Sequence, residues 1–164
     1  MFGPDPLYKE EERVAILRDK YGVEAPEQIF KQIYCSLTSD PEFIRMYGHL
    51  NIKSLKWDIV SLETSEFCGL GAHATVPEFV LDVSEDSKGD RFEIDGREEV
   101  AEHWRKFGTW DERPMFIDRL LVFPGENGLH LMESHKRLGT LLGAIKYGFV
   151  ALADTHEIYL ATHI

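Results

Sequence analysis

The chain has 164 residues, and its 18 Lys and Arg against 29 Asp and Glu give a formal net charge of −11. Hydrophobic residues make up 43% and charged residues 29%, which is typical of one globular domain and excludes a wholly disordered, collagen-like or coiled-coil chain. No apolar run approaches the roughly 20 residues of a membrane-spanning helix, and no secretory signal is visible at the start, so we expect a cytoplasmic protein with no membrane association.

The first fifty residues carry three helical patterns. Residues 5–21 place Val14, Ile16 and Leu17 at apolar positions after an acidic first turn and end at Tyr21-Gly22. Ala25-Pro26-Glu27 begins a second helix that extends to Leu37, and Asp40-Pro41 begins a third, since a capping residue followed by proline is a typical helix start. We therefore predict an N-terminal helical arm over residues 1–54, which buries its apolar face on the rest of the chain, on a second copy in a homodimer or on another protein partner.

From residue 55 the pattern changes. Residues 55–60 alternate as a half-buried strand does, residues 61–75 indicate a loop or short helix, and residues 78–83 favour a strand. A polar loop is predicted over residues 84–90.

The last part of the chain alternates helices and strands. Residues 95–99 precede an amphipathic helix predicted over residues 100–107, which ends at Gly108. A strand is predicted at 115–123, a turn at 124–128 and a strand at 129–133. A helix follows from Ser134 to Tyr147, and two strands over 149–153 and 157–161 complete the chain. We expect residues 55–164 to form one α+β domain, a small mixed sheet flanked by helices.

Acidic residues are concentrated in one segment, and this argues against non-specific nucleic-acid binding, which depends on clustered Lys and Arg. Such a segment either binds a basic partner or serves as a solvated surface. Between residues 82 and 102 only Lys88, Arg91 and Arg97 oppose the acids Asp82, Glu85, Asp86, Asp90, Glu93, Asp95, Glu98, Glu99 and Glu102.

Two cysteines, Cys35 and Cys68, form no CxxC pair and no zinc spacing. They fit a reducing compartment, and we expect both to be buried as apolar residues.

The most informative motif is the passage from the strand at 129–133 into the next helix. Ser134 is a good N-cap, yet His135, Lys136 and Arg137 place basic groups at the helix end that already carries partial positive charge. One interpretation is an anion site: Arg137 clamps a phosphate or carboxylate, Lys136 adds charge, and His135 acts as donor or catalytic acid/base. The other is that Lys136 and Arg137 pair with Glu133 or with the acidic segment.

Further residues have two interpretations each. Gly139 and Gly143 allow close packing of the helix on the sheet. Trp110, in a loop, is either a core anchor or a contact for a ligand or partner. His130 is either a surface or core histidine or a residue that approaches the turn at 134–138 in space. Asp154, His156 and Glu157 form either a polar turn or an acid/base group, and no spacing indicates a metal site, so we expect neither metal nor cofactor.

The order of these elements resembles the ParB/sulfiredoxin-like superfamily over about residues 55–164. In that family a Gly-x-x-Arg-type turn opens a helix and binds phosphate; here Ser134 stands at the Gly and Arg137 at the Arg. His135 occupies the position of the glutamate in ParB-type proteins and of the reactive cysteine in sulfiredoxins. The resemblance therefore implies a phosphate site without the sulfiredoxin reaction, and the ParB-type DNA-binding helix-turn-helix has no counterpart.

Two functional hypotheses follow. In the first, the chain binds phosphate or a nucleotide at residues 134–138, and phosphoryl or phosphodiester chemistry is the reaction class if it is an enzyme. In the second, it is a non-catalytic acidic interaction module, of the accessory or immunity type, that binds a basic partner.

Overall fold

The computed structural model describes residues 9–37, 40–86 and 98–163. The start of the first predicted helix at residues 5–8, residues 87–90 of the predicted polar loop, and residues 87–97 of the acidic segment lie outside these ranges. Within them no helix has both the length and the apolar character that crossing a membrane requires.

The protein is an α+β fold, as the sequence predicts. The α-helices of the described part are α1 Glu10–Asp19, α2 Glu27–Ile29, α3 Pro41–Tyr47, α4 Pro77–Asp86, α5 Glu98–Phe107, α6 Arg119–Val122 and α7 His135–Tyr147. A π-helical segment, Phe30–Cys35, continues α2, and short 3-10 turns cover Ile52–Ser54, Thr64–Phe67 and Leu70–Ala72.

The strands β1 Leu55–Glu63, β2 Met115–Asp118, β3 Leu129–Glu133 and β4 Thr155–His163 form one mixed sheet in the order β1-β4-β2-β3. Ala74 pairs with Leu131 of β3 through an isolated parallel bridge, and Thr75 N–H donates to the Leu131 carbonyl at 3.0 Å. This short segment covers the edge of β3 that faces away from β2.

The chain divides into two compact units. One comprises Met1–Asp58, Ile117–Gly128 and Leu160–Ile164, and the other Ile59–Phe116 and Leu129–Tyr159. These divisions differ from the boundary at residues 54–55, which stays a prediction.

In the first unit the predicted helices are confirmed. Asp40 caps α3 by accepting from Glu42 N–H and Phe43 N–H at 2.9 and 3.0 Å, and Pro41 occupies the first helical position. Leu17 of α1 is buried, as are Phe30 and Ile33 of the π-helical segment, which packs on α1. These side chains form an apolar core for the predicted helices.

In the second unit α4 packs closely against α7. A Cβ at Gly139 would lie 2.7 Å from Val83 Cβ and 2.8 Å from the Val80 carbonyl oxygen. The close packing predicted at Gly139 is confirmed, but its partner is helix α4 rather than the sheet.

The predicted strand at 78–83 is wrong, because these residues form α4. A short apolar run is ambiguous between strand and helix, and Pro77 at the first helical position is the signal that decides for the helix. Helical spacing places Val80 and Ser84 on the face that is buried.

Two further strands are corrected. The strand predicted at 115–123 ends at Asp118, whose carboxylate accepts from Leu120 N–H at 3.0 Å and begins the one-turn helix α6. Residues 149–153 are not a strand. Their backbone instead lies next to Gly108, where an added Cβ would be 2.5 Å from the Ala151 carbonyl oxygen. Gly108 also has a φ of 66°, so this position requires glycine for both reasons.

The two cysteines differ in burial. Cys35 is buried, as predicted, and burial raises the pKa of its thiol. Cys68 is exposed, which corrects the prediction that both are buried.

Candidate functional site at the start of α7

Ser134 joins β3 to α7 in a left-handed conformation, with φ 77° and ψ 41°. Among the described residues other than glycine, only Ser134 has a positive φ. A residue with a Cβ adopts this backbone conformation at a cost of about 1–2 kcal/mol. An N-cap side chain reaches the helix amides from extended backbone, so the predicted cap does not form. Instead Ser134 Oγ accepts a hydrogen bond from Arg137 Nη1 at 3.0 Å.

The Arg137 guanidinium is occupied by carboxylates of the same chain. Its Nη2 donates to Glu112 Oε2 at 2.6 Å, its Nε lies 3.5 Å from Asp111 Oδ1, and its side chain is only 17% exposed. Asp111 and Glu112 lie in the loop between α5 and β2. This arrangement is the internal pairing that the sequence leaves open, but with different acids from Glu133 or the segment at 82–102.

His135 holds the segment that leads into α4. Its Nε2 accepts a hydrogen bond from Val76 N–H at 3.2 Å, and burial lowers its pKa to about 4. The imidazole is therefore neutral at pH 7, with the proton on Nδ1. A neutral ring whose available lone pair is occupied by a backbone amide neither adds charge for an anion nor serves as a general acid in this state.

Lys136 and Glu133 differ in their exposure to solvent. The Lys136 side chain is exposed, and its backbone carbonyl accepts from Thr140 Oγ1 at 2.8 Å. Burial raises the pKa of Glu133, while the Ser134 amide and the charge of Arg137 act in the opposite direction. Of the four residues predicted as an anion site, Ser134 and Arg137 are in direct contact and Lys136 faces solvent.

Trp110 is a core anchor rather than an accessible contact. It is 5% exposed, its Nε1 donates to the Glu157 carbonyl at 2.7 Å, and its ring meets Trp104 edge-to-face at a centroid distance of 6.1 Å. His130 on β3 is 2% exposed. Burial leaves neither side chain able to contact a ligand in this conformation.

A second polar cluster lies around His156, which is 1% exposed. Its Nε2 is 2.9 Å from Thr64 Oγ1 and its Nδ1 is 2.8 Å from Thr109 Oγ1. Thr64 Oγ1 also donates to the Ala153 carbonyl at 2.8 Å, so it accepts from Nε2–H and leaves Nδ1 to accept from Thr109. Burial lowers the pKa of His156 to about 4, so the ring is a neutral structural link; Asp154 and Glu157 are exposed.

The sequence predictions missed the outer face of α4, which we define as Glu78, Phe79, Leu81, Asp82 and Asp86. Phe79 and Leu81 are 39% and 51% exposed. At 100° per residue the carboxylates occupy the centre of this face, with Phe79 along one border and Leu81 along the other. Reading residues 78–83 as a strand concealed this face, because alternation assigns the same side chains to different surfaces.

Comparisons with family models, with curated proteins and with solved structures give no match. The resemblance to the ParB/sulfiredoxin-like superfamily therefore stays an expectation from sequence. In residues 9–37, 40–86 and 98–163, no three His, Cys, Asp or Glu side chains are grouped closely enough to hold a metal ion.

Proposed function

We propose that this chain is a non-catalytic interaction module and that the outer face of α4 binds a basic protein partner. One observation carries the proposal: α4 exposes the apolar side chains Phe79 and Leu81 on the two borders of an acidic stripe, although its other face is already packed on α7. A helix that needs only to fold buries one apolar stripe and leaves polar residues outside. Exposed apolar side chains that flank a charged stripe in this way are suited to a protein interface.

The helix is fixed in place at both ends, which favours recognition. Val76 N–H donates to His135 at its start. Near its end, Glu85 accepts hydrogen bonds from Lys146 and Tyr147 of α7. A face held this way loses little conformational entropy when a partner binds.

Charge selects the class of partner. Glu78, Asp82 and Asp86 are exposed at the centre of the face, and the whole chain carries −11. The electrostatic potential of such a protein attracts cationic surfaces and repels acidic ones. We infer that the partner presents Lys or Arg between apolar residues that cover Phe79 and Leu81.

Anion binding at residues 134–138 is the competing hypothesis. It draws support from the left-handed Ser134 and from an α7 first turn that contains no acidic residue. Against it, a phosphate that reaches Arg137 must displace Glu112 from a 2.6 Å contact, and His135 contributes no charge at neutral pH. The interaction module requires no such rearrangement.

The test is affinity capture followed by measurement with pure components. The full chain captures partners from the soluble fraction of its native host, and the Kd of each purified candidate is measured against wild type and Phe79→Ser/Leu81→Ser. Loss of two apolar contacts should cost about 2–3 kcal/mol, which is roughly 30- to 150-fold in Kd.

The matched control is Ile44→Ser, because Ile44 is 40% exposed on α3. It should leave the Kd unchanged, and Glu78→Gln/Asp82→Asn should weaken binding and reduce its dependence on salt. Failure to capture any basic protein, or equal Kd values for the serine variant and wild type, would contradict the proposal.

A further inference from the structure

Strand β1 forms one edge of the sheet and lacks the usual protection of such an edge. Edge strands of natural proteins are often short, or carry proline or charged side chains, because their free N–H and C=O groups otherwise pair with another chain. β1 has nine residues and no proline, and its Lys56 is held 2.9 Å from Asp58 on the same face. The opposite edge of the sheet, at β3, is covered by the segment around Ala74.

The backbone groups of β1 alternate between those that face β4 and those that face outward. Thr64 N–H, immediately after the strand, donates to the Asp154 carbonyl at 3.0 Å, next to the start of β4. Glu63 N–H faces the other way and donates to the Glu66 carboxylate at 2.7 Å. This hydrogen bond closes the last position of the edge.

Alternation back from Glu63 directs the N–H and C=O groups of Trp57, Ile59 and Ser61 outward. Among the described residues, none outside the sheet makes a hydrogen bond with these backbone groups. Ile59 is 53% exposed, and Ser61 is exposed as well. The middle of β1 therefore presents unpaired backbone groups beside an exposed apolar side chain.

The strand is suited to pair with a second copy of itself. Ile59 is the middle residue of Leu55–Glu63, so antiparallel pairing over the whole strand places it opposite Ile59 of the second copy. In that register the large Trp57 lies opposite the small Ser61, and the outward N–H and C=O groups of these residues bond to one another. The exposed isoleucine is then covered by its own equivalent.

Local charge does not oppose this register. Lys56 lies opposite Leu62 of the second copy, and Asp58 lies opposite Val60, so no like charges face each other directly. The two Asp58 carboxylates are diagonal neighbours, and each is offset by Lys56 of its own strand. The net charge of −11 on each chain still repels a second copy, and salt screens that repulsion.

We propose that two copies of this chain pair through β1, in an antiparallel register centred on Ile59, and join their sheets into one. The contact is symmetric and uses the free edge of both copies. The edge at β3 is already covered, so pairing ends at a dimer rather than continuing into a fibre. This interface is separate from the outer face of α4.

Sedimentation equilibrium of the full chain, over a series of concentrations at low and high sodium chloride, tests the proposal. We expect an equilibrium between 18.9 kDa and twice that mass, with a Kd that falls as salt rises. Ile59→Lys places two ammonium groups opposite each other and should raise the Kd at least about tenfold. Ile44→Lys adds the same charge at an exposed position of α3 and should keep the wild-type Kd.

Ser61→Pro is a second variant that should leave the monomer folded. Proline removes an N–H that faces outward, so an edge strand accommodates it without loss of hydrogen bonds to β4. The dimer loses that donor, and its Kd should rise at least about tenfold while circular dichroism stays as in wild type. Phe79→Ser/Leu81→Ser should not change the dimer, so this proposal and the one for α4 fail separately.

Cross-linking through single cysteines measures the register. In a Cys68→Ser background, in which the remaining Cys35 is buried, a short bismaleimide should join Ile59→Cys to its copy. The opposed Cβ atoms would lie about 4.5–5.5 Å apart. Ser61→Cys is the matched control on the same face and should not cross-link, because its two copies would lie about 14 Å apart along the strands.

The proposal is overturned if the chain stays monomeric up to about 1 mM, or if the dimer is unchanged in either Ile59→Lys or Ser61→Pro. A dimer that added salt weakens, or one that cross-links through position 61 rather than 59, would also overturn it. So would a complex in which β1 pairs only with a different protein.

Discussion

Arg137 and Glu112 form an ion pair, with Nη2 2.6 Å from Oε2, at the position where the sequence pattern leads one to expect an external anion. The basic first turn of α7 is therefore balanced from within the chain, by residues of the loop between α5 and β2. A local charge pattern that violates helix-dipole preference indicates that compensation exists, and here a distant loop supplies it.

Phosphate and nucleotides should leave the unfolding midpoint of the wild-type chain at the value measured in sodium chloride of equal ionic strength. The reason is that Glu112 already occupies the Arg137 fork. A ligand present at about 100 times its Kd would add about 2.7 kcal/mol to the free energy of unfolding, which a thermal-shift assay detects readily. A rise that Arg137→Ala abolishes at unchanged fold would instead place the function at residues 134–138.

Substitutions at Ser134 should separate backbone conformation from hydrogen bonding. Both Ser134→Ala and Ser134→Gly lose the hydrogen bond with Arg137, but only glycine removes the cost of a Cβ at φ 77°. We expect the glycine variant to be more stable than the alanine variant by about 1 kcal/mol, as measured by urea unfolding. The reverse order would mean that Ser134 does not adopt the left-handed conformation in solution.

Gly139→Ala should destabilise the protein although alanine favours helix formation by about 1 kcal/mol. The new Cβ would lie 2.7 Å from Val83 Cβ and would push α4 away from α7. Overpacking of this kind costs about 1–3 kcal/mol, so urea unfolding should show a net loss. Lys136→Ala, at an exposed position of the same helix, serves as the reference for a substitution that adds no volume between the helices. A stabilised Gly139→Ala would show that the two helices do not pack as described.

Acidification should destabilise the protein below pH 6.5 through His135 and His156. Their pKa values in the folded chain are about 4, against 6.5 for an ordinary histidine, so the unfolded chain binds more protons between these limits. The free energy of unfolding should therefore fall as the pH drops through this window, by on the order of 1–2 kcal/mol per histidine at pH 5, and be constant above pH 7. Glu133, whose pKa is raised, acts with the opposite sign and reduces the net loss.

Urea unfolding across pH 4–8 measures this dependence. His156→Asn should be less stable than wild type at pH 7, because the links to Thr64 and Thr109 are broken, yet its stability should vary less with pH. His163→Asn, at an exposed position, should keep the wild-type dependence. An identical slope for wild type and His156→Asn would contradict the assignment to that ring.

Local sequence signals are sufficient to predict those elements in which the capping residues and the apolar spacing indicate the same structure. Asp40-Pro41 fixes the start of α3, and the apolar face of α5 ends at Gly108, where positive φ and a close backbone neighbour both require glycine. The strand–turn–helix passage at 129–147 was also recognisable. In each case a capping or turn residue at the boundary itself gives the signal.

The remaining features depend on contacts distant in sequence. Residues 149–153 contain apolar side chains at strand-like positions, yet their backbone follows Gly108 rather than a sheet neighbour. Arg137 meets Glu112, 25 residues earlier, and the alternative partners were equally plausible from charge alone. The outer face of α4 was missed because a single periodicity error at residues 78–83 reassigns every side chain of the segment.

Photo-crosslinking in the native host shows whether the outer face of α4 contacts a basic protein. Leu81 is replaced by p-benzoylphenylalanine in the full chain, and Ile44, exposed to a similar degree on α3, is replaced in the control. We expect an adduct from position 81 with one basic protein, weakened by Glu78→Gln/Asp82→Asn, and none from position 44. No adduct at position 81, an acidic protein in the adduct, or equal adducts from both positions would contradict it.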